Sequence, residues 1–319
     1  MSSTVNTVLG PVPADQLGVT SVHESLLSVL PGAQYAYDIT IDRAEIFAIL
    51  KDKLVDFREA GGGTIVDATG QFHGRDLRLL EALSRSTGVH VVASTGQGPE
   101  AMLGGYFLTP QTNPPTPWPA EKWADMFGRE VTEGMVVPRV ERRGAAGIVA
   151  TAVTRDGATP TDEAILRGAA RAAVATGVPV SVRHGLDPVA ELELLLDEGL
   201  AADRVVIGGL DRTSAVSAAA TVADRGAYVA IDHVGVEDDE HVSDKERADL
   251  VAELVAAGHV SWILLSSSAT GVAKGHPAND VAFSHVLTSF VPLLRDRGIA
   301  EDDVQQILVG NPARLLAVR

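Results

Sequence analysis

The sequence predicts an α/β fold, and within that class a single (β/α)8 TIM barrel, from three observations. Short apolar runs recur along the chain, an amphipathic stretch follows each of them, and eight such runs are present, which is the number that closes a barrel of this kind. The chain has 319 residues, and these barrels often exceed roughly 250 residues as one unit. No Gly/Ser/Pro-rich linker divides the sequence, so residues 1–319 are predicted to form one domain.

The predicted strands are short and rich in Val, Ile and Ala, as buried parallel strands are. They are 17–22, 64–68, 90–95, 146–153, 179–183, 204–209, 228–233 and 262–267. The predicted helices are 74–87, 120–134, 161–177, 188–199, 213–225, 244–257 and 277–297. Thr161, Asp187, Thr213 and Ser243 are predicted N-caps, and Gly177, Gly199, Gly226 and Gly258 follow predicted helix ends.

The longest segment without a periodic pattern is 98–119, which is rich in proline and lies between the third and fourth predicted strands. In a (β/α)8 barrel this position carries a βα loop over the catalytic face. We therefore predict a lid loop at 98–119, with an ordinary surface loop as the alternative.

Composition and charge exclude several classes of function. The formal net charge is −16 without a basic run, which disfavours nucleic acid and anionic membranes as partners. The chain has no cysteine, which excludes disulfides and thiolate metal sites. No apolar run approaches the ~20 residues that span a bilayer, and the N-terminus lacks a signal-peptide pattern, so we expect a cytoplasmic protein that acts on a small molecule.

Several segments near the predicted strand ends carry recognisable patterns. They are LGVTSVHESLL at 17–27, GGGTIVDAT at 61–69, GRD at 74–76, SDKERADLVAELVAAG at 243–258 and VGNPARLLAV at 309–318. Their order and spacing resemble the phosphotriesterase-like family of the amidohydrolase superfamily, which includes organophosphate hydrolases and lactonases. The resemblance covers nearly the whole chain and implies a hydrolase fold, two divalent metals and a homodimer. Fold alone does not imply function, which depends on the residues of the site.

The family's metal ligands are largely replaced in this sequence. Strand one reads His23-Glu24-Ser25, which keeps the first histidine of a His-x-His pair and has Ser25 at the second. The position of the bridging lysine is Ala150, and the strand-five histidine position is Arg183, or His184 with a shift of one residue. Gly209 and Ser268 stand where the family has a histidine and an aspartate.

These replacements predict a site with no cofactor, because neutral serine and alanine cannot replace anionic ligands and an arginine repels cations. A different metal site built from His23, His184 and Asp232 is the alternative, since all three residues follow predicted strands.

Two residues that assist proton transfer in the family are retained, namely His233 and Asp211. Together with Ser268 they follow the order hydroxyl, imidazole and carboxylate, which a serine nucleophile needs. The alternative is that Ser268 is a small polar residue that only fills the space left by the metals at the strand end. A second possibility is that His233 or Asp232 acts as general base toward water.

The remaining predicted site residues bind substrate. Arg183, with His184 or His23, is expected to stabilise an oxyanion or to bind a substrate carboxylate or phosphate. Asp232 and Ser25 complete the predicted pocket. Six other histidines are expected to be structural or exposed: His73, His90, His241, His259, His276 and His285.

Three functions follow from this reasoning. The first is a metal-independent hydrolase of a small ester or lactone, and the second is a non-catalytic binding barrel. The third is a divergent zinc hydrolase.

Overall fold

The computed structural model describes residues 3–71, 73–103, 117–137 and 140–319. Its centre is a curled sheet of nine parallel strands in the order β12-β11-β10-β9-β8-β5-β4-β3-β13. These strands are β3 (Val19–Val29), β4 (Gly62–Asp67), β5 (His90–Thr95), β8 (Ile148–Ala152), β9 (Val180–Arg183), β10 (Val205–Gly208), β11 (Tyr228–Ile231), β12 (Ile263–Leu265) and β13 (Thr270–Lys274). The predicted α/β class is confirmed, and exact closure as an eight-stranded barrel stays a prediction.

Two small antiparallel hairpins accompany the sheet, formed by β1 (Thr4–Thr7) with β2 (Gly10–Pro13) and by β6 (Met135–Val137) with β7 (Glu141–Arg143). The α-helices are α1 (Arg43–Glu59), α2 (Leu77–Thr87), α3 (Ala120–Thr132), α4 (Pro160–Thr176), α5 (Pro188–Asp197), α6 (Ala219–Asp224), α7 (Asp244–Ala256), α8 (Val291–Asp296), α9 (Glu301–Gln305) and α10 (Asn311–Leu316). In the described part of the chain, no helix is both long and apolar enough to cross a bilayer.

Helix ends follow the local sequence in most places. Asp187 and Ser243 cap α5 and α7 as predicted, and Ser243 forms a capping box with Glu246. Helix α4 is capped by Thr159 instead of Thr161, because Pro160 takes the first helical position and Asp162 completes the capping box. The four predicted glycines after helices all have positive φ.

Some element predictions are wrong for identifiable reasons. Thr213 is not an N-cap, because its hydroxyl donates to the Glu240 carbonyl and the segment forms a 3-10 turn before α6. The predicted helix 277–297 begins only with a π-helical turn at Val286–Phe290. Helix α1 and the two hairpins were not predicted.

The eighth predicted strand, 262–267, is interrupted at its end. The backbone N–H groups of Ser267 and Ala269 donate to the two carboxylate oxygens of Glu24, at 3.0 and 2.5 Å, and Ser268 has φ 47°. The Glu24 carboxylate of β3 therefore accepts the hydrogen bonds that backbone carbonyls of a neighbouring strand would otherwise accept. The chain resumes as β13, which pairs with β3, while β12 pairs with β11. The two edges of the sheet are thus joined through residues 266–269.

The core lies between the sheet and its helices. Leu50, Leu54 and Phe57 of α1 are buried, as are Trp123 and Phe127 of α3. Each such side chain contributes roughly 1.5–3 kcal/mol by leaving water. The framework that results holds the strand ends, and the polar residues that follow them, in fixed positions.

Candidate active site

A cavity of about 680 Å³ opens at the carboxyl ends of the strands. The predicted site residues that line it are His23, Ser25, Arg183, His184 and His233. Thr69, which follows β4, and Thr154, which follows β8, line it too. Gly98, Pro99 and Met102 of the predicted lid also line it. Residues 104–116 of that lid lie outside the described residues.

His233 and Asp211 form the bonded pair that the sequence predicted. Nδ1 of His233 lies 2.9 Å from Oδ1 of Asp211, and the His233 backbone N–H donates to Oδ2 at 2.9 Å. Nε of Arg247 also donates to Oδ2, at 2.9 Å, and Arg247 is fully buried. Arg247 comes from α7 and was not recognised from sequence, because a helix residue gives no local sign of a partner 36 positions away.

Asp232 lies next to this pair and is fully buried. Its Oδ1 accepts a hydrogen bond from the Gly209 N–H at 2.7 Å and lies 3.2 Å from His233 Nδ1. Its Oδ2 has no hydrogen-bond partner among the described residues. Nδ1 of His23 is 3.9 Å from that oxygen, which is too long for a direct hydrogen bond. The gap between His23 and Asp232 suits a bridging water or cation.

Two imidazoles of the cavity, those of His23 and His233, have opposite charge preferences. Burial would lower the pKa of His233, but Asp232 and Asp211 together raise it to about 9. Burial lowers the pKa of His23, and Arg183 adds to this while Asp232 opposes it. Burial also opposes the charge on Asp232, yet His233 holds its pKa below its usual range. These surroundings therefore favour the cationic form of His233 and the neutral form of His23.

This charge state corrects one predicted role. A general base must be unprotonated, and the carboxylates of Asp232 and Asp211, which raise the pKa of His233 to about 9, favour its protonated form. His23, which was predicted to bind substrate, has the neutral form that a base needs.

Ser268 does not make the contact that a nucleophile requires. Its Oγ is buried and has no hydrogen-bond partner among the described residues, so it is not bonded to His233. Ser268 is also absent from the lining of the cavity. The structure thus joins Asp211 and His233 and leaves Ser268 apart from them, because the backbone from 267 to 269 is held by Glu24.

Arg183 and His184 occupy different surroundings although they are adjacent. Arg183 is exposed to the cavity mouth. His184 is buried, its Nδ1 is 2.6 Å from the Gly208 carbonyl, and burial lowers its pKa. His184 therefore serves as a neutral wall of the cavity.

Three histidines predicted to be structural or exposed instead line the cavity, namely His73, His241 and His276. The His241 ring stacks on His233 with centroids 4.0 Å apart, and Nε2 of His276 is 2.8 Å from the Ser28 hydroxyl. Their loops meet only in the folded protein, so strand-end reasoning did not find them. In the GRD segment at 74–76, Arg75 pairs with buried Glu130, and Asp76 caps α2.

The model of the Phosphotriesterase family matches residues 3–316. The chain belongs to this family. It is 27% identical to an N-acetyltaurine hydrolase of Salmo salar, over 100% of this chain and 99% of that protein. It is 28% identical to a phosphotriesterase homology protein of Mycobacterium tuberculosis strain H37Rv, over 98% and 97%. A triple mutant of an organophosphorus hydrolase from Deinococcus radiodurans superposes with a TM-score of 0.89 at 29% identity, covering 99% of this chain and 98% of that one. The recognised resemblance is confirmed, and the chain is a member of a family of hydrolases.

Membership corrects the prediction that no cofactor is used. Proteins of this family are typically binuclear metal enzymes. Among the described residues, Asp211, Asp232 and His233 each bring one ligand atom to within 4.8 Å of the others. The sequence alone predicts proton transfer for Asp211 and His233. Their convergence with Asp232 is visible only in the folded chain.

Whether this cluster fits a metal depends on the free oxygen of Asp232. Oδ2 is a buried carboxylate oxygen without a partner, which is a donor that a divalent cation prefers. Both oxygens of Asp211 are already engaged by His233 and Arg247. Ala150, at the position of the bridging lysine, offers no ligand to a second ion. The residues present fit one cation on Asp232, with Asp211 and His233 beside it.

Proposed function

We propose that this chain hydrolyses the ester or lactone bond of a small molecule in the cavity lined by His23, Arg183 and His233. One observation carries the proposal: the unpartnered Oδ2 of Asp232 and Nδ1 of His23 face each other across 3.9 Å beside this cavity. A buried carboxylate oxygen without a partner is costly to fold, and such groups concentrate at functional sites.

The proposed reaction uses His23 as general base. His23 takes a proton from a water molecule, the water oxygen attacks the carbonyl carbon, and a tetrahedral oxyanion forms. When the C–O bond breaks, the His23 imidazolium returns the proton to the leaving alkoxide, so that the acid and alcohol are released and His23 is neutral again. With no cation on Asp232, its free oxygen stabilises the transient imidazolium of His23.

Other residues position these groups and neutralise charge. Arg247 and Asp211 hold the His233 ring, and His233 and the Gly209 N–H hold Oδ1 of Asp232, so that Oδ2 faces His23. The Arg183 guanidinium lies at the cavity mouth, where its charge attracts an anionic group of the substrate. A divalent cation held by the free oxygen of Asp232, with Asp211 and His233 beside it, would supply a Lewis acid toward the carbonyl.

Purified protein assayed against esters and lactones of graded size tests the proposal. The panel includes N-acetyltaurine, because one relative is named for its hydrolysis. We expect turnover of at least one ester or lactone that stops in the His23→Gln variant. Tight binding of these compounds without conversion would instead indicate a binding barrel. The homodimer implied by the family resemblance stays a prediction.

A further inference from the structure

Arg212 is a buried cation whose guanidinium is mostly without partners. It lines the same cavity and is only 6% exposed. Its Nη1 donates to the His184 carbonyl at 2.8 Å, which is its single side-chain hydrogen bond to the described residues, and its Nε is buried without a partner. A buried arginine nitrogen with no acceptor costs free energy unless a ligand satisfies it.

Arg183 lies close to Arg212 and faces the same space. The hydrogen bond from Arg212 ends on the residue next to Arg183. Burial lowers the pKa of Arg212, and the charge of Arg183 lowers it further. Neither arginine forms an ion pair within 4.0 Å among the described residues, whereas Arg155, a third arginine of the lining, is paired with Glu240.

Small residues make room around these two cations. On the neighbouring strands, Ala152 and Gly208 are the register partners of Arg183. A Cβ on Gly209 would lie 3.3 Å from Arg212 Nε and 3.1 Å from the His184 ring, so a larger residue there would displace both side chains. Gly209 therefore permits the position that Arg212 takes.

We propose that Arg183 and Arg212 bind an oxyanion of the substrate: a carboxylate, sulfonate or phosphonate group separate from the bond that is cleaved. That the bound anion belongs to a substrate rests on the proposed hydrolase function. Anion binding itself depends only on the two arginines of the cavity. Nε of the buried Arg212 lacks an acceptor and can orient the anion. The exposed guanidinium of Arg183 can extend toward it. Arginine forks match the geometry of such oxyanions better than point charges do.

Binding of matched small molecules tests the inference without any turnover. Butyrate, propanesulfonate and propylphosphonate are compared with neutral butyramide by titration calorimetry on the full-length protein. The three anions distinguish planar from tetrahedral groups. We expect at least one anion to bind at least tenfold more tightly than butyramide, with the preference weakening as ionic strength rises.

Two variants and one control locate the site. Arg183→Gln and Arg212→Gln should each weaken anion binding roughly 10- to 100-fold, which is the range for charged hydrogen bonds, and leave butyramide unchanged. Arg297→Gln removes an arginine that is paired with Asp249 on the surface, and it should change nothing. Because Arg183 is exposed, its variant tests the site even if Arg212→Gln folds poorly.

The outcomes separate this inference from the proposed function. If the protein binds an anion through Arg183 but hydrolyses no ester or lactone, the anion site is upheld and the proposed hydrolase function is wrong. Equal affinity for butyramide and all three anions, or anion affinity unchanged in Arg183→Gln, would overturn the anion site even if neutral esters are hydrolysed.

Discussion

Nδ1 of His233 lies 2.9 Å from Oδ1 of Asp211, and this contact joins the residue after β11 to the loop after β10. Asp211 in turn accepts from the buried Arg247 of α7. The Asp211 carboxylate thus lies between the His233 ring and the Arg247 guanidinium in the interior, and it holds the His233 ring in position.

Asp211→Asn should destabilise the fold by up to about 3–5 kcal/mol, because the buried charge of Arg247 loses one of its two carboxylate partners and keeps only Asp244 among the described residues. Denaturant unfolding measures the change. Asp224→Asn is the control, since the Asp224 side chain is 68% exposed and, among the described residues, forms an ion pair only with His259. Equal stability of the two variants would show that the buried pair contributes little.

His23→Gln should reduce kcat at least about 100-fold, the lower range for loss of a general base, with a smaller effect on KM. Ser268→Ala should retain turnover, because the Ser268 hydroxyl has no contact with His233. Steady-state kinetics on the best ester or lactone provides both values. Loss of activity in Ser268→Ala alone would restore the serine nucleophile.

Asp232→Asn should weaken binding of a divalent cation at least tenfold, because it removes the free carboxylate oxygen. Calorimetric titration of chelator-treated protein with Zn²⁺ should show one equivalent. Asp156→Asn removes a carboxylate that also lines the cavity and should leave the affinity unchanged. Two equivalents, or no effect of Asp232→Asn, would contradict the single-cation assignment.

Glu24→Ala should destabilise the protein by about 2–5 kcal/mol, because the buried N–H groups of Ser267 and Ala269 lose their acceptors. Thermal or denaturant unfolding gives the value. Glu253→Ala on the exposed face of α7 is the matched control. If both variants unfold alike, then other groups hold residues 266–269.

Glu191 should make stability depend on pH. Burial raises its pKa from 4.5 to about 7, although its carboxylate accepts from the Gly185 N–H. The raised pKa means that the contribution is fully present below pH 4.5 and is lost as the pH rises through 7. Glu191→Gln should therefore be neutral near pH 4 and stabilising by up to about 3 kcal/mol at pH 8. A difference that is constant with pH would refute this assignment.

Local patterns predicted much of the framework. Alternating apolar and amphipathic stretches identified β4, β5 and β8 to β12, since burial between helix layers imposes that pattern. Where one residue dictates geometry, as at the N-caps Asp187 and Ser243, the prediction was accurate. The interruption at 266–269 was missed because its cause, Glu24, lies more than 240 positions away.

The sequence by itself determined the family, the α/β class and the placing of His23, Arg183, Asp232 and His233 after strands. Only the tertiary structure decided their charge states, the free oxygen of Asp232, the isolation of Ser268 and the exposure of Arg212 to the cavity. Strand position follows from local hydrophobic periodicity. Charge and hydrogen bonding depend instead on distances between residues far apart in the chain, and these distances are set by packing of the whole sheet.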